Sequence, residues 1–260
     1  MTHAFPIAMF VLLVSASQCR AAAPEDTVRG WLMLGGGVIP EYDGASTFVP
    51  VPALAGRVEW GRRYAQLSGL TARINVLGLE HVEVGPVLNV ALGRKGADGT
   101  PIGALEDLDS AVELGAFVAG VWRGLGVANT ELWVALQATQ DVSDVHGGWQ
   151  AGTTVYASWA PSALWNLGAQ LELNVASAAY GRTYFGVSAP AAAASGLPQT
   201  DLSAGLKDTA ITLNVSRALD DRWWLTGVAA GRRLLADAAE SPVVEEATGL
   251  SCALAISYTF

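Results

Sequence analysis

The chain is poor in charge. Only 15% of its 260 residues are Asp, Glu, Lys or Arg, against roughly 25% in an ordinary soluble domain. Lysine is almost absent, and acids outnumber bases by 24 to 15, for a net charge of −9. A nucleic-acid partner needs a basic footprint that displaces counterions, and this chain lacks one. An anionic lipid surface is disfavoured as a docking partner for the same reason. Cysteine is scarce: Cys19 and Cys252 are too few for a zinc cluster. Beyond the N-terminus no apolar run reaches the roughly 18 residues that a membrane-crossing helix needs. Yet 51% of the residues are hydrophobic and mean hydropathy is +0.33. That excludes a disordered chain, which combines low hydrophobicity with high charge. The apolar content is therefore dispersed, and its period decides the fold.

Residues 5–16, FPIAMFVLLVSA, form an apolar core of export-signal length, followed by small residues ending in Ala21-Ala22-Ala23. Residues 1–23 are expected to be a cleaved signal peptide and residues 24–260 the mature barrel. Cleavage removes Cys19 and leaves Cys252 alone, so no intramolecular disulfide is expected.

The rest reads with period two. In 81–93, Val82, Val84, Pro86, Leu88, Val90 and Leu92 alternate with His81, Glu83, Gly85, Val87, Asn89, Ala91 and Gly93. Segments 111–122, 149–159, 164–176, 208–217 and 248–260 behave alike, and 30–39, 47–60, 64–76, 126–141 and 222–235 are weaker candidates. Alternation marks a strand with one apolar and one polar or small face. A soluble sandwich buries the apolar face; a membrane barrel turns it to lipid. Segments of about 10–14 residues match the roughly 9–11 of a tilted membrane strand and exceed the soluble average of about 5–6. Aromatic residues near segment ends (Trp60 and Tyr64, Trp122, Trp149, Trp159 and Trp165, Trp223 and Trp224, Tyr258 and Phe260) suit the membrane–water interface. The predicted fold is all-β, a closed antiparallel transmembrane barrel. Eleven candidate strands conflict with the even number that such barrels have. Either one assignment is wrong or a strand lies within 177–207; twelve strands are favoured, with ten as the alternative. The long connections are 95–109, 142–148, 177–207 and 236–247. Residues 188–197 are expected to form a short helix that folds into the lumen or caps the mouth, the alternative being an ordered loop without a partner.

Several stretches resemble the MipA/OmpV family of outer-membrane proteins: GGGVIPEYDGAS (35–46), VEVGPVLNVALGRK (82–95), LEDLDSAVELGAF (105–117), HGG (146–148), TYFGVSAPAAAASGLPQTDLSAGLKD (183–208), DDRWWLTGVAAGRRLLADAAESPVV (220–244) and the terminal SYTF. The milder run Lys95 to Gly99, where the family has an acidic one, departs from the pattern, as does the weakly charged start of the chain. The resemblance implies an outer-membrane barrel. It also implies a scaffold that joins a murein-degrading lytic transglycosylase to a murein synthase, although other members look more like porins or adhesins. No catalytic residues carry over.

A charge facing lipid at mid-depth costs about 2–4 kcal/mol for Arg. Arg57, Glu59, Arg73, Glu83, Glu113, Glu131, Asp141, Glu172 and Arg232 are therefore the candidate lumen-facing charges. They would either line a small-solute pore or lock into networks that plug it. His146 lies in a loop, and His81 on a strand's polar face near Glu83. Without a nucleophile elbow, both read as polar surface or lumen residues rather than members of a Ser–His–acid set. Glu106, Asp107 and Asp109 lack the spacing and glycine of a calcium loop and read as a solvated acidic loop. Expected are no enzymatic activity, no cofactor and no metal. Outer-membrane lipid is the expected surrounding, and murein enzymes are the partners that the resemblance implies.

Overall fold

The computed structural model describes residues 28–94 and 101–260. The export signal lies outside the described residues, as does Lys95–Gly99. Twelve antiparallel strands close into a barrel: β1 (Val28–Pro40), β2 (Phe48–Trp60), β3 (Arg63–Ser68), β4 (Thr71–Asn75), β5 (Val82–Ala91), β6 (Ala111–Arg123), β7 (Thr130–Asp141), β8 (Trp149–Ser162), β9 (Trp165–Ala176), β10 (Gly205–Ala218), β11 (Trp223–Leu234) and β12 (Thr248–Thr259). Each strand pairs with its sequence neighbours, and β12 returns to β1 from Trp31↔Thr259 to Val38↔Cys252. No edge is left along that seam, so the ladder satisfies its own amides, as hydrocarbon requires.

Alternation now has a direction. Leu88, Leu171 and Leu254 are 41%, 57% and 60% exposed on the outer surface, while their neighbours Val87, Gln170 and Ala253 are buried inside. Trp60, Trp122, Trp159, Trp165, Trp223 and Phe260 project outward at one end and form an interfacial girdle. Tyr64 and Trp224, which the sequence pattern assigns to that girdle, point inward and are buried.

The conflict in strand number resolves within 64–76, not within 177–207. That segment is two short strands, β3 and β4, joined at Gly69-Leu70. Gly69 has φ +59°, a conformation that side chains with a Cβ resist. Gly61, φ +63°, makes the β2–β3 turn in the same way. With twelve strands the parity is consistent. The connections 41–47, 92–110, 142–148, 177–204 and 235–247 share one end; the shorter turns 61–62, 76–81, 124–129, 163–164 and 219–222 and both strand termini share the other. Short turns are periplasmic and long loops extracellular in such barrels. Ala160, Pro161 and Ser162, which fall between the candidate segments 149–159 and 164–176, continue β8 past an irregularity after Trp159.

Between β9 and β10 lie two helices, α1 (Ala178–Phe185) and α2 (Ala189–Ser195). The second matches the expected helix: Ser188 caps it, accepting from the Ala191 amide, and Gly196 ends it at φ +76°. It does not enter the lumen. Ala191 and Ala192 pack instead against the loop cluster Leu105, Val187 and Val243. It is α1, unforeseen in the sequence, that covers the lumen, with Tyr180 and Phe185 buried. A one-turn helix, α3 (Ala236–Ala239), follows β11.

Candidate functional site

The lumen divides by height. Its periplasmic half holds a packed group of side chains. Tyr64 Oη and Trp133 Nε1 both donate to Glu83 Oε2 at 2.8 Å. The Arg57 guanidinium lies 3.6 Å over the Tyr64 ring and 2.7 Å from Glu59, which also holds Arg29 at 2.8 Å. Arg73 sits between the Phe117 and Trp133 rings, 5.7 and 5.2 Å from their centroids, and donates to Gln137 at 3.3 Å. Val87, Ala119, Val121, Ala135 and Tyr156 pack around this group. The arrangement follows from the strands: inward positions of β2, β3, β5 and β7 bring large aromatic and charged residues to one level. Buried charges are tolerable there only because each finds a partner or an aromatic face.

Above the plug lies a cavity of about 280 Å3. Asn89, Gln150, Glu172 and Thr212 form its lower wall, and Tyr42, Arg94, Tyr180, Tyr184 and Phe185 its roof. None of the plug residues lines it. Two polar clusters brace its walls. In one, Glu113 accepts from Asn89, Thr139 and Gln150 at 2.9, 2.9 and 2.7 Å, and meets His146 Nε2 at 3.0 Å. The Gly148 amide donates to His146 Nδ1 at 3.0 Å, which places the ring proton on Nε2, facing Glu113. Asp141 fastens the same loop by accepting from the Ser143, His146 and Gly147 amides. In the other cluster, Asp208 accepts from Asn174 at 2.7 Å and pairs with Lys207 at 3.1 Å and Arg232 at 3.3 Å; Glu172 lies 4.0 Å from Arg232.

The nine candidate charges thus fall into separate groups. Arg57, Glu59, Arg73 and Glu83 belong to the plug. Glu113 and Asp141 brace the 142–148 loop, and Glu172 and Arg232 stand in the cavity wall. Glu131 pairs with Arg123 at 2.9 Å at the periplasmic rim. His146 lies in its loop as expected, and the loop turns its ring down onto Glu113 and under the Tyr180 and Tyr184 rings, 5.0 and 5.7 Å away, so that it is buried. The expectation for His81, a place on a strand's polar face, needs correction. His81 precedes β5 and is exposed at a turn. Glu106, Asp107 and Asp109 are exposed, and among the described residues no group of acids, histidines and cysteines could hold a metal.

The candidate charges omit Asp208, although alternation puts it on the polar face of 208–217, and sequence reading missed Lys207 and Arg94. Lys207 sits at a register shift in β10, where an extra residue turns inward beside Asp208. Strict alternation cannot show such a position. Arg94 lies beyond β5, on an isolated bridge to Leu108. The aromatic roof was invisible because α1 is held by its burial against the lumen rather than by a strong helical pattern. Burial pushes the Tyr180 hydroxyl up to about 12 and raises that of Tyr184, so both stay protonated.

A closed twelve-stranded barrel with an apolar exterior, an aromatic girdle and long loops at one end is an outer-membrane β-barrel protein. The chain belongs to the family of the MltA-interacting protein MipA, whose model matches residues 32–260. Among solved structures it is similar in fold to an outer-membrane channel of Pseudomonas putida F1, at 11% identity over 95% of this chain and 100% of that chain with TM-score 0.48. It is also similar to the P. putida toluene transporter TodX, at 10% over 91% and 90% with TM-score 0.43, and to OmpT of Vibrio cholerae, at 7% over 93% and 100% with TM-score 0.42. No curated relative matches the sequence.

Proposed function

We propose that this protein is a non-conducting outer-membrane platform that docks a lytic transglycosylase and a murein synthase at its periplasmic face. The family supports the partner class: its namesake is an MltA-interacting protein. The observation that carries the reading is the character of the periplasmic turns. Leu77, Leu79, Leu125, Val127, Leu164 and Leu219 are all about half exposed there, from 48% to 56%. Turns facing water have no need of such residues, and clustered exposed apolar side chains mark contact surfaces. The packed group in the periplasmic half of the lumen favours a platform over a pore, because solute passage would require breaking the Tyr64–Glu83–Trp133 bonds.

The test is capture from solubilised envelopes. The wild-type barrel is expected to retain both murein enzymes. The combined variant Leu77→Ser, Leu79→Ser, Leu125→Ser and Val127→Ser is expected to release them while keeping the gel mobility of a folded barrel. Equal retention by the two forms, or neither enzyme on the wild type, disposes of the proposal.

A further inference from the structure

The barrel wall is incomplete on one side. β3 and β4 end at Gly69-Leu70, whereas β2 continues upward through residues 48–54. The last bond between them is Gly69 N to Leu54 O, at 3.0 Å, and across the turn Val90 N reaches Leu70 O at 3.1 Å. Above this level β2 has no ladder partner on its β3 side. Antiparallel strands direct the amides of alternate residues to the same side. Since Leu54 faces the missing neighbour, so do positions 52 and 50, and both are proline. Proline has no N–H, so the open edge exposes no donor from these positions to hydrocarbon. An edge lacking those donors is also a poor template for another strand. The gap is therefore built to remain open within the membrane.

What lies behind it is unusual for a lumen, which is ordinarily polar. The inner wall beside the gap is apolar: Trp31, Met33, Val51 and Ala53 are buried together, and Ile39, Val49 and Leu92 pack on them. Ile39, Leu70, Val90 and Leu92 also line the cavity. At its roof stands Arg94, 6% exposed, whose guanidinium donates to the Tyr184 carbonyl at 2.9 Å and has no carboxylate within 4 Å among the described residues. Asp107 acts on it only at longer range, and a buried cation without a contacting acid is costly. Two further polar atoms of the same wall, the Tyr42 and Tyr184 hydroxyls, are buried with no hydrogen-bond partner among the described residues. A buried cation held by one carbonyl and two unpaired hydroxyls thus stand beside an apolar wall that runs to the gap.

We propose that the cavity binds a single-chain, membrane-borne amphiphile with an anionic head. The head lies on Arg94 with the Tyr42 and Tyr184 hydroxyls, and the chain runs over Leu70, Val90 and Leu92 and out between β2 and β5. A carboxylate or a phosphate monoester satisfies the donor set, since Arg offers paired N–H groups to either. The ligand arrives from the bilayer, because the apolar wall leads there and the helical roof covers the mouth. At about 280 Å3 the cavity is near the lower end of the roughly 300–1,000 Å3 of small-molecule sites. That size suits part of one chain rather than a whole lipid. This proposal stands independently of enzyme docking.

The experiment uses the full barrel in phospholipid vesicles that carry a trace of dodecanoate bearing a photoactivatable diazirine near its chain end. After irradiation, cross-links are mapped by mass spectrometry. Saturable labelling of the peptides containing Leu70 and Leu92 is expected, suppressed by unlabelled dodecanoate and by dodecyl phosphate but not by dodecanol. Arg94→Gln is expected to lower this labelling at least fivefold, and Tyr42→Phe about threefold. Arg123→Gln, at the opposite rim, should leave it unchanged. A water-soluble octanoate probe added outside intact vesicles should label these sites at least fivefold less than the membrane-borne probe. Labelling confined to outward residues such as Leu88 and Leu114, equal competition by dodecanol, or equal labelling by the external probe overturns the proposal. The competition arm uses the wild type, so it decides even if a variant misfolds.

Discussion

Glu113 shows how much one inward residue can carry. Its side chain is wholly buried and accepts from three partners in addition to meeting His146. Glu113→Ala would strand those donors and leave the loop histidine without its acceptor, a loss expected at about 3–5 kcal/mol. Glu113→Gln keeps the shape and should cost about 1–3 kcal/mol. The unfolding midpoint of the detergent-solubilised barrel in denaturant checks both, with the Ala variant the weaker. A second residue ties two extracellular loops together. Glu245 accepts from the Ser46 amide and hydroxyl, and these bonds hold its carboxyl below the usual glutamate range. Because the folded value is depressed, the contribution is present above the ordinary glutamate pKa of about 4.3 and is lost as pH falls through the folded value. Protease nicking of the 41–47 loop is therefore expected to rise below about pH 4 in the wild type. Glu245→Gln, which does not titrate, should show a smaller change.

At the scale of elements, the short β3–β4 hairpin shapes the barrel. Gly69→Val places a branched side chain at φ +59°, costing on the order of 1–2 kcal/mol, and should lower the unfolding midpoint more than a swap on the outward face of β12 such as Leu254→Ile. The prolines of β2 lead to a different expectation. Pro50→Val with Pro52→Val restores two N–H groups on the open edge, and a second barrel can pair there. Cross-linking in membranes is expected to show a dimer for this variant that the wild type lacks. Most elements could be read from the sequence, since lipid outside and packed side chains inside impose opposite demands on successive residues. The β3–β4 turn could not. Its strands are too short for a full alternating run, and Ser68, Gly69 and Leu70 interrupt the pattern no more than glycines do elsewhere. The helix α1 was missed for a related reason: its roof position depends on a lumen that exists only once the sheet has closed.

For the whole molecule, the proposed platform implies that the plug blocks transport. Planar-bilayer recordings of the wild type are expected to be silent. Arg57→Ala, Arg73→Ala and Trp133→Ala together remove the side chains that span the periplasmic half and should produce steady ion conductance from a barrel that still migrates as folded. Conductance in the wild type would mean that the Arg57–Tyr64–Glu83 group opens readily, and silence in the triple variant would place the seal elsewhere. The candidate charges illustrate the division between sequence and structure. That Arg57 and Glu83 avoid lipid follows from the cost of a charge in hydrocarbon. That they meet Tyr64 and Trp133, while Glu172 and Arg232 stand in a separate cavity, depends on strand stagger, which no single segment encodes.

The sequence by itself determined the class of molecule, because period two over membrane-length segments, with aromatic ends and hardly any lysine, has one stable solution in lipid: a closed sheet with its apolar face outward. Only the tertiary structure decided where side chains pack across the lumen, where the wall is broken and which polar groups meet. Those outcomes depend on the register between strands distant in the chain and on side chains converging from opposite walls.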